Sequence, residues 1–148
     1  MSQIGQNAPE IDLLDGEGNR WSLSDSRGKI IVLLFYPGDE TPVCTKQLCS
    51  VRDNWEQYQA TGAEVVGINS DSVAKHQRFT ANYNLPLRLL SDADGAVTKA
   101  YGMKSLIGTK RGVIVIDKEG VIRYRKTVIP IFRPADDEIL NAIAAIQT

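Results

Sequence analysis

Seven consecutive apolar residues, Ile30-Ile31-Val32-Leu33-Leu34-Phe35-Tyr36, run straight into Pro37-Gly38. The run is too short for a buried helix and is rich in β-formers, so it reads as a central strand covered on both faces. A strand of that kind needs a layer of structure on each side, which constrains the whole chain. Pro37-Gly38 ends it. From Pro42 the pattern becomes helical, with Val43, Leu48, Val51, Trp55 and Tyr58 recurring at helical spacing as far as about Gln59.

The flanking sequence supplies those layers. Ile11–Leu14 and Arg20–Leu23 enclose Asp15-Gly16-Glu17-Gly18-Asn19 and read as an N-terminal hairpin. Glu64–Asn69 is a second buried strand, and Ser72 to Asn82 an amphipathic helix carrying Val73, His76 and Phe79. A short strand at Leu87–Leu90 and a helix at Ala96–Tyr101 follow. Val113–Asp117 and Val121–Tyr124 flank a Lys118-Glu119-Gly120 turn, and Asp136–Ile146 is a last amphipathic helix. The expected class is α/β, one domain over residues 1–148, with a central mixed sheet flanked by helices.

Composition narrows the function classes. With 17 basic and 18 acidic residues, the chain gives no reason to expect nucleic acid or an anionic membrane as partner. No apolar run approaches the roughly 20 residues of a membrane helix. Met1–Asn7 is polar and lacks a secretory pattern, so a cytoplasmic location is expected. Two cysteines and one histidine fall short of the four ligands of a structural zinc site. A close cysteine pair in an intracellular chain is more often redox-active than structural.

Those cysteines, Cys44 and Cys49, lie just after the strand and turn. Pro42 suits the first helical position and Thr41 the N-cap before it. Cys44 then falls in the first helical turn, near unpaired amide hydrogens and the positive end of the helix dipole. Such a place favours the thiolate, the nucleophilic form. Asp39 and Glu40 oppose it, so both are expected to point to solvent while a cation arrives from elsewhere. If both cysteines stay helical, their Cα atoms are roughly 8–9 Å apart, beyond the reach of about 7 Å for a disulfide. Cys49 reads equally well as a core residue of this helix.

Pro37-x3-Thr41-x2-Cys44, flanked by Phe35-Tyr36 and by Pro42-Val43 and Thr45, resembles the signature of the peroxiredoxins. A second cysteine five residues on resembles the bacterioferritin-comigratory-protein or peroxiredoxin Q group. The likeness extends to Gly5–Pro9, Asn69–Ser72, Leu90-Ser91-Asp92 and Arg111. It implies a thioredoxin-like fold and a thiol-dependent peroxidase that acts on hydrogen peroxide and alkyl hydroperoxides without a cofactor. By the resemblance, Cys44 attacks the peroxide, Thr41 orients it, Arg111 holds the thiolate, and Pro37 shapes the loop and shields the sulfur. Cys49 is then the resolving cysteine, and a thioredoxin or glutaredoxin-type reductant restores both thiols. That cycle requires the helix start to unwind. A one-cysteine peroxidase, a dithiol oxidoreductase and a redox sensor stay open as alternatives. A monomer or weak dimer is expected. His76 reads as a packing residue or a solvated edge, Trp21, Trp55 and Met103 as packing residues, and Arg123–Lys126 as a solvated strand edge.

Overall fold

The computed structural model describes residues 3–106, 108–128 and 136–147. The apolar run forms the middle of a seven-stranded mixed sheet. In chain order its strands are β1 (Asp12–Asp15), β2 (Arg20–Ser22), β3 (Ile31–Phe35), β4 (Glu64–Asn69), β5 (Arg88–Ser91), β8 (Arg111–Ile116) and β9 (Ile122–Val128). Across the sheet the order is β2-β1-β5-β4-β3-β8-β9. β3 pairs in parallel with β4, and β4 with β5; the remaining pairs are antiparallel. The helices are α1 (Pro42–Asp53), α2 (Trp55–Ala60), α3 (Val73–Tyr83), α4 (Ala96–Ala100) and α5 (Asp136–Gln147). This is the mixed α/β sheet that the sequence pattern implied and the thioredoxin-like architecture that the family resemblance implied.

Every residue of β3 is buried, and its alternation divides the interior in two. Val32 and Leu34, with Tyr36 just beyond the strand, join Cys44, Leu48, Phe79, Ile139 and Ile143 in one core. Ile31, Leu33 and Phe35 join Trp21, Tyr101 and Met103 in the other. The central strand is thus covered on both sides, as its unbroken apolar sequence required.

Two elements differ from the sequence reading. The helix expected to run to Gln59 breaks at Asn54, whose backbone leaves helical geometry (φ −108°, ψ 18°). Its side-chain amide donates to the Ser50 carbonyl at 2.8 Å and to Asp136 Oδ2 at 3.2 Å, so a local polar bond competes with the helix ladder. A second small sheet pairs β6 (Lys104–Ser105) with β7 (Gly108–Thr109), two-residue strands too short to carry a periodic signal. The rest of the expected elements are present within a few residues of their expected ends. Among the described residues, no helix is long and apolar enough to cross a membrane.

Candidate active site

The site is built where β3 stops. Pro37 to Glu40 turn the chain, and Glu40 occupies the left-handed region at φ 61°. Thr41 follows in extended geometry (φ −75°, ψ 152°), and Pro42 opens α1. Thr41 stands at the N-cap position, but its hydroxyl does not cap the helix. It donates to the Gly38 carbonyl at 3.0 Å and tightens the turn instead. Having spent its proton there, the hydroxyl oxygen retains lone pairs that can accept a hydrogen bond.

Cys44 is the third residue of α1 and is fully buried. Arg111 begins β8, the strand beside β3, and is 2% exposed. The register that pairs Gly112 with Phe35 brings it to the mouth of the turn. Arg111 donates from Nη2 to Cys44 Sγ at 3.1 Å and from Nη1 to Gln47 Oε1 at 2.7 Å. The expected cation is therefore in contact with the sulfur, 67 residues away in sequence. A guanidinium N–H aimed at sulfur is a charge-assisted contact that fixes a positive charge against Sγ.

Gln47 is the site residue that the sequence reading missed. It lies three positions after Cys44 and so on the same helical face, which was the available signal. It is buried, its carbonyl fixes Arg111, and its Nε2 finds no partner among the described residues. The amide that fixes the guanidinium therefore keeps a buried, unused donor.

Asp39 corrects a second expectation. It does not point to solvent: its side chain is fully buried. Its Oδ1 accepts from the Tyr36 hydroxyl at 2.6 Å and from Asn69 Nδ2 at 3.3 Å, and its Oδ2 lies 2.5 Å from His76 Nδ1. Its backbone N–H donates to Asp71 Oδ2 at 2.7 Å. Burial first, and then the Asp39 carboxyl, push the Tyr36 phenol well above its ordinary value, so it stays a donor. Glu40 does face solvent, accepting from Asn82 Nδ2 at 3.2 Å.

The other residues singled out in the sequence are distributed as follows. Pro37 is an exposed residue of the turn. Cys49 is half-buried on α1 and packs against the main core; both cysteines are free thiols on an intact helix. Trp21 and Met103 are buried and Trp55 is partly buried, as packing residues should be. Arg125, expected on a solvated edge, is instead half-buried and donates to the Tyr101 and Gly102 carbonyls.

A family model described as AhpC/TSA family matches residues 4–125. The chain belongs to that family. It is 48% identical to the chloroplastic peroxiredoxin Q of Triticum aestivum over 123 residues, 81% of this chain and 57% of the wheat protein. It is 45% identical over 128 residues to the putative peroxiredoxin bcp of Coxiella burnetii, covering 81% of this chain and 85% of that one. This chain thus spans little more than half the length of its plant relatives and most of the bacterial one. The crystal structure of the peroxidoxin BcpB from Mycobacterium tuberculosis superposes over the full length of both chains, with a TM-score of 0.89 at 30% identity. The reduced 2-Cys peroxiredoxin of Plasmodium vivax shares the fold, with a TM-score of 0.92 over 99% of this chain and 83% of that one, at 24% identity.

Proposed function

We propose that this chain is a thiol-dependent peroxidase in which Cys44 is the attacking cysteine and Cys49 the resolving one. The observation that carries the reading is the 3.1 Å contact of Arg111 Nη2 with Cys44 Sγ in the first turn of α1. Hydrogen peroxide and alkyl hydroperoxides are the substrates. Because the sulfur is buried, peroxide reaches it as the exposed segment around Pro37, Thr41 and Pro42 moves.

The Cys44 thiolate attacks the terminal peroxide oxygen and the O–O bond breaks. The other oxygen leaves as water or an alcohol after taking up a proton, and Cys44 becomes a sulfenic acid. The Thr41 oxygen accepts from the peroxide O–H and so orients it. Arg111, held by the Gln47 carbonyl, faces the charge that moves onto oxygen, a fixed donor that lowers the barrier. Pro37 shapes the turn that shields the sulfur. The Cys49 thiol then attacks the sulfenic sulfur, releasing water and leaving a Cys44–Cys49 disulfide. A thioredoxin or glutaredoxin-type dithiol reduces that bond by exchange. The reading also takes the chain as cytoplasmic and as a monomer or weak dimer, with no nucleic-acid or membrane partner.

The packing of Cys49 against the core favours a second reading, in which Cys44 works alone and an external thiol resolves it. Peroxide consumption by the wild type, Cys44→Ser and Cys49→Ser separates the two. Cys44→Ser abolishes consumption in both. With thioredoxin as sole donor, Cys49→Ser stalls after one turnover if Cys49 resolves, and cycles normally if it is a bystander.

A further inference from the structure

Among the described residues, Asp39 and His76 form a buried titratable pair that the peroxidase cycle above leaves unused. Both side chains are fully enclosed. His76 Nε2 lies 3.1 Å from the Leu90 carbonyl, which can only accept, so Nε2 carries a hydrogen. Nδ1 faces Asp39 Oδ2 at 2.5 Å. Two lone pairs cannot face each other at that distance, so one proton lies between them. Whichever atom holds it, imidazolium with carboxylate or imidazole with carboxylic acid, the pair has no net charge.

The surroundings fix this arrangement from every side. Tyr36, at the end of β3, donates to Asp39. Asn69 and Asp71, at and beyond the end of β4, bond to Asp39 through Nδ2 and Oδ2, and Asp71 is paired outward with Lys75 of α3 at 3.4 Å. Leu90 of β5 receives Nε2. The β1–β2 turn packs on the back of His76, where a Cβ on Gly16 would come within 3.3 Å of the histidine Cβ. Asp15, the last residue of β1, faces Arg88 at 3.8 Å and accepts from the turn amides of Glu17 and Asn19. Glu40 is exposed.

Asp39 and Cys44 lie on either side of one residue, because the Tyr36 hydroxyl bonds the first and its ring packs in one core with the second. An uncompensated carboxylate there would oppose a thiolate at Cys44, since neither charge is screened by water. We propose that His76 is a positioning residue for the Cys44 reaction: by sharing a proton with Asp39 it keeps the buried pair without net charge, so that Arg111 acts on the thiolate unopposed. The proposal rests on the peroxidase reading of Cys44.

The test measures the thiolate directly, so that it does not depend on turnover. In a Cys49→Ser background Cys44 is the only thiol, and its ultraviolet thiolate absorbance is followed against pH with a Cys44→Ser/Cys49→Ser chain as blank. Adding His76→Gln keeps a donor toward Asp39 but no shared proton. The thiolate profile then moves to higher pH by about one unit, a tenfold loss of thiolate on its acid side. The peroxide rate at neutral pH falls with it. Asp39→Asn added to His76→Gln removes the uncompensated charge and restores the original profile. An unmoved profile in a folded His76→Gln chain overturns the proposal. So does a double variant that stays shifted, which would make His76 merely structural. If His76→Gln alone does not fold, the double variant decides: recovery of the fold and the original profile supports charge compensation, and failure of either overturns it. A Cys49→Ser chain with the predicted profiles but no reaction with peroxide would instead sink the peroxidase reading.

Discussion

Arg111, at the start of β8, and Cys44, in the first turn of α1, meet through a 3.1 Å hydrogen bond from guanidinium to sulfur. A helix start presents a thiol to unpaired amides, and a strand two places along the sheet from β4 delivers a fixed cation to it. The second guanidinium bond, to Gln47, holds that cation in one orientation.

Arg111→Lys keeps the charge but removes the planar fork that contacts sulfur and Gln47 together. The second-order rate with hydrogen peroxide is expected to fall about 10²–10³-fold, the usual effect of losing one donor at a developing charge. Stopped-flow measurement of peroxide loss checks this. A rate within a factor of two or so of wild type would remove Arg111 from the chemistry.

Gln47→Leu preserves approximate volume and deletes both the acceptor for Arg111 and the free amide donor. The loss of a hydrogen bond to a charged group predicts a rate about tenfold lower or more, with the fold intact by circular dichroism. An unchanged rate would show that Arg111 is held without it.

Much of the fold was legible because its strongest signals are local. The apolar β3 run and the turn sequences around Asp15 and Asp117 specify their elements within a few residues, as in the Asp117 Oδ1 bonds to Glu119 N–H and Val121 N–H. The helix break at Asn54 was hidden, since Trp55 and Tyr58 continue the apolar period across it. The site was legible only in part. Cys44, Pro42 and Thr41 could be placed from spacing. Arg111 came from family resemblance, because nothing local marks an arginine that reaches across two elements. Asp39 is not legible locally for the same reason: its partner His76 is 37 residues away and meets it only once α3 lies against the sheet. That contact, rather than solvent, disposes of the acidic charge beside the turn.

Burial acts to raise the Asp117 carboxyl, but hydrogen bonds from the Val121 and Glu119 amides and from Arg123 outweigh it and hold the carboxyl below its ordinary value. A depressed folded value contributes stability above the unfolded carboxylate range of about 3.9, and that contribution is lost as pH falls through the lower folded value. Asp117→Asn is therefore expected to be less stable than wild type at neutral pH, with the difference narrowing in strong acid. Urea midpoints across pH test this; a gap that widens on acidification would contradict it.

A Cys44–Cys49 disulfide cannot form across five residues of intact α1. Oxidised protein should therefore show faster amide exchange over residues 41–50 than reduced protein. Strand β3 should remain protected in both. Equal protection of that helical segment in a chain shown by mass to hold the disulfide would refute the unwinding step.

The central claim is that Cys44 alone meets the peroxide. Reduced Cys49→Ser protein treated with one equivalent of hydrogen peroxide and a sulfenic-acid trap, then mapped by peptide mass, tests it most directly. One trapped adduct per chain, on Cys44, with no peroxide loss in Cys44→Ser, is the predicted result. Peroxide consumed at the wild-type rate by Cys44→Ser, or no adduct on Cys44 while peroxide disappears, would contradict it.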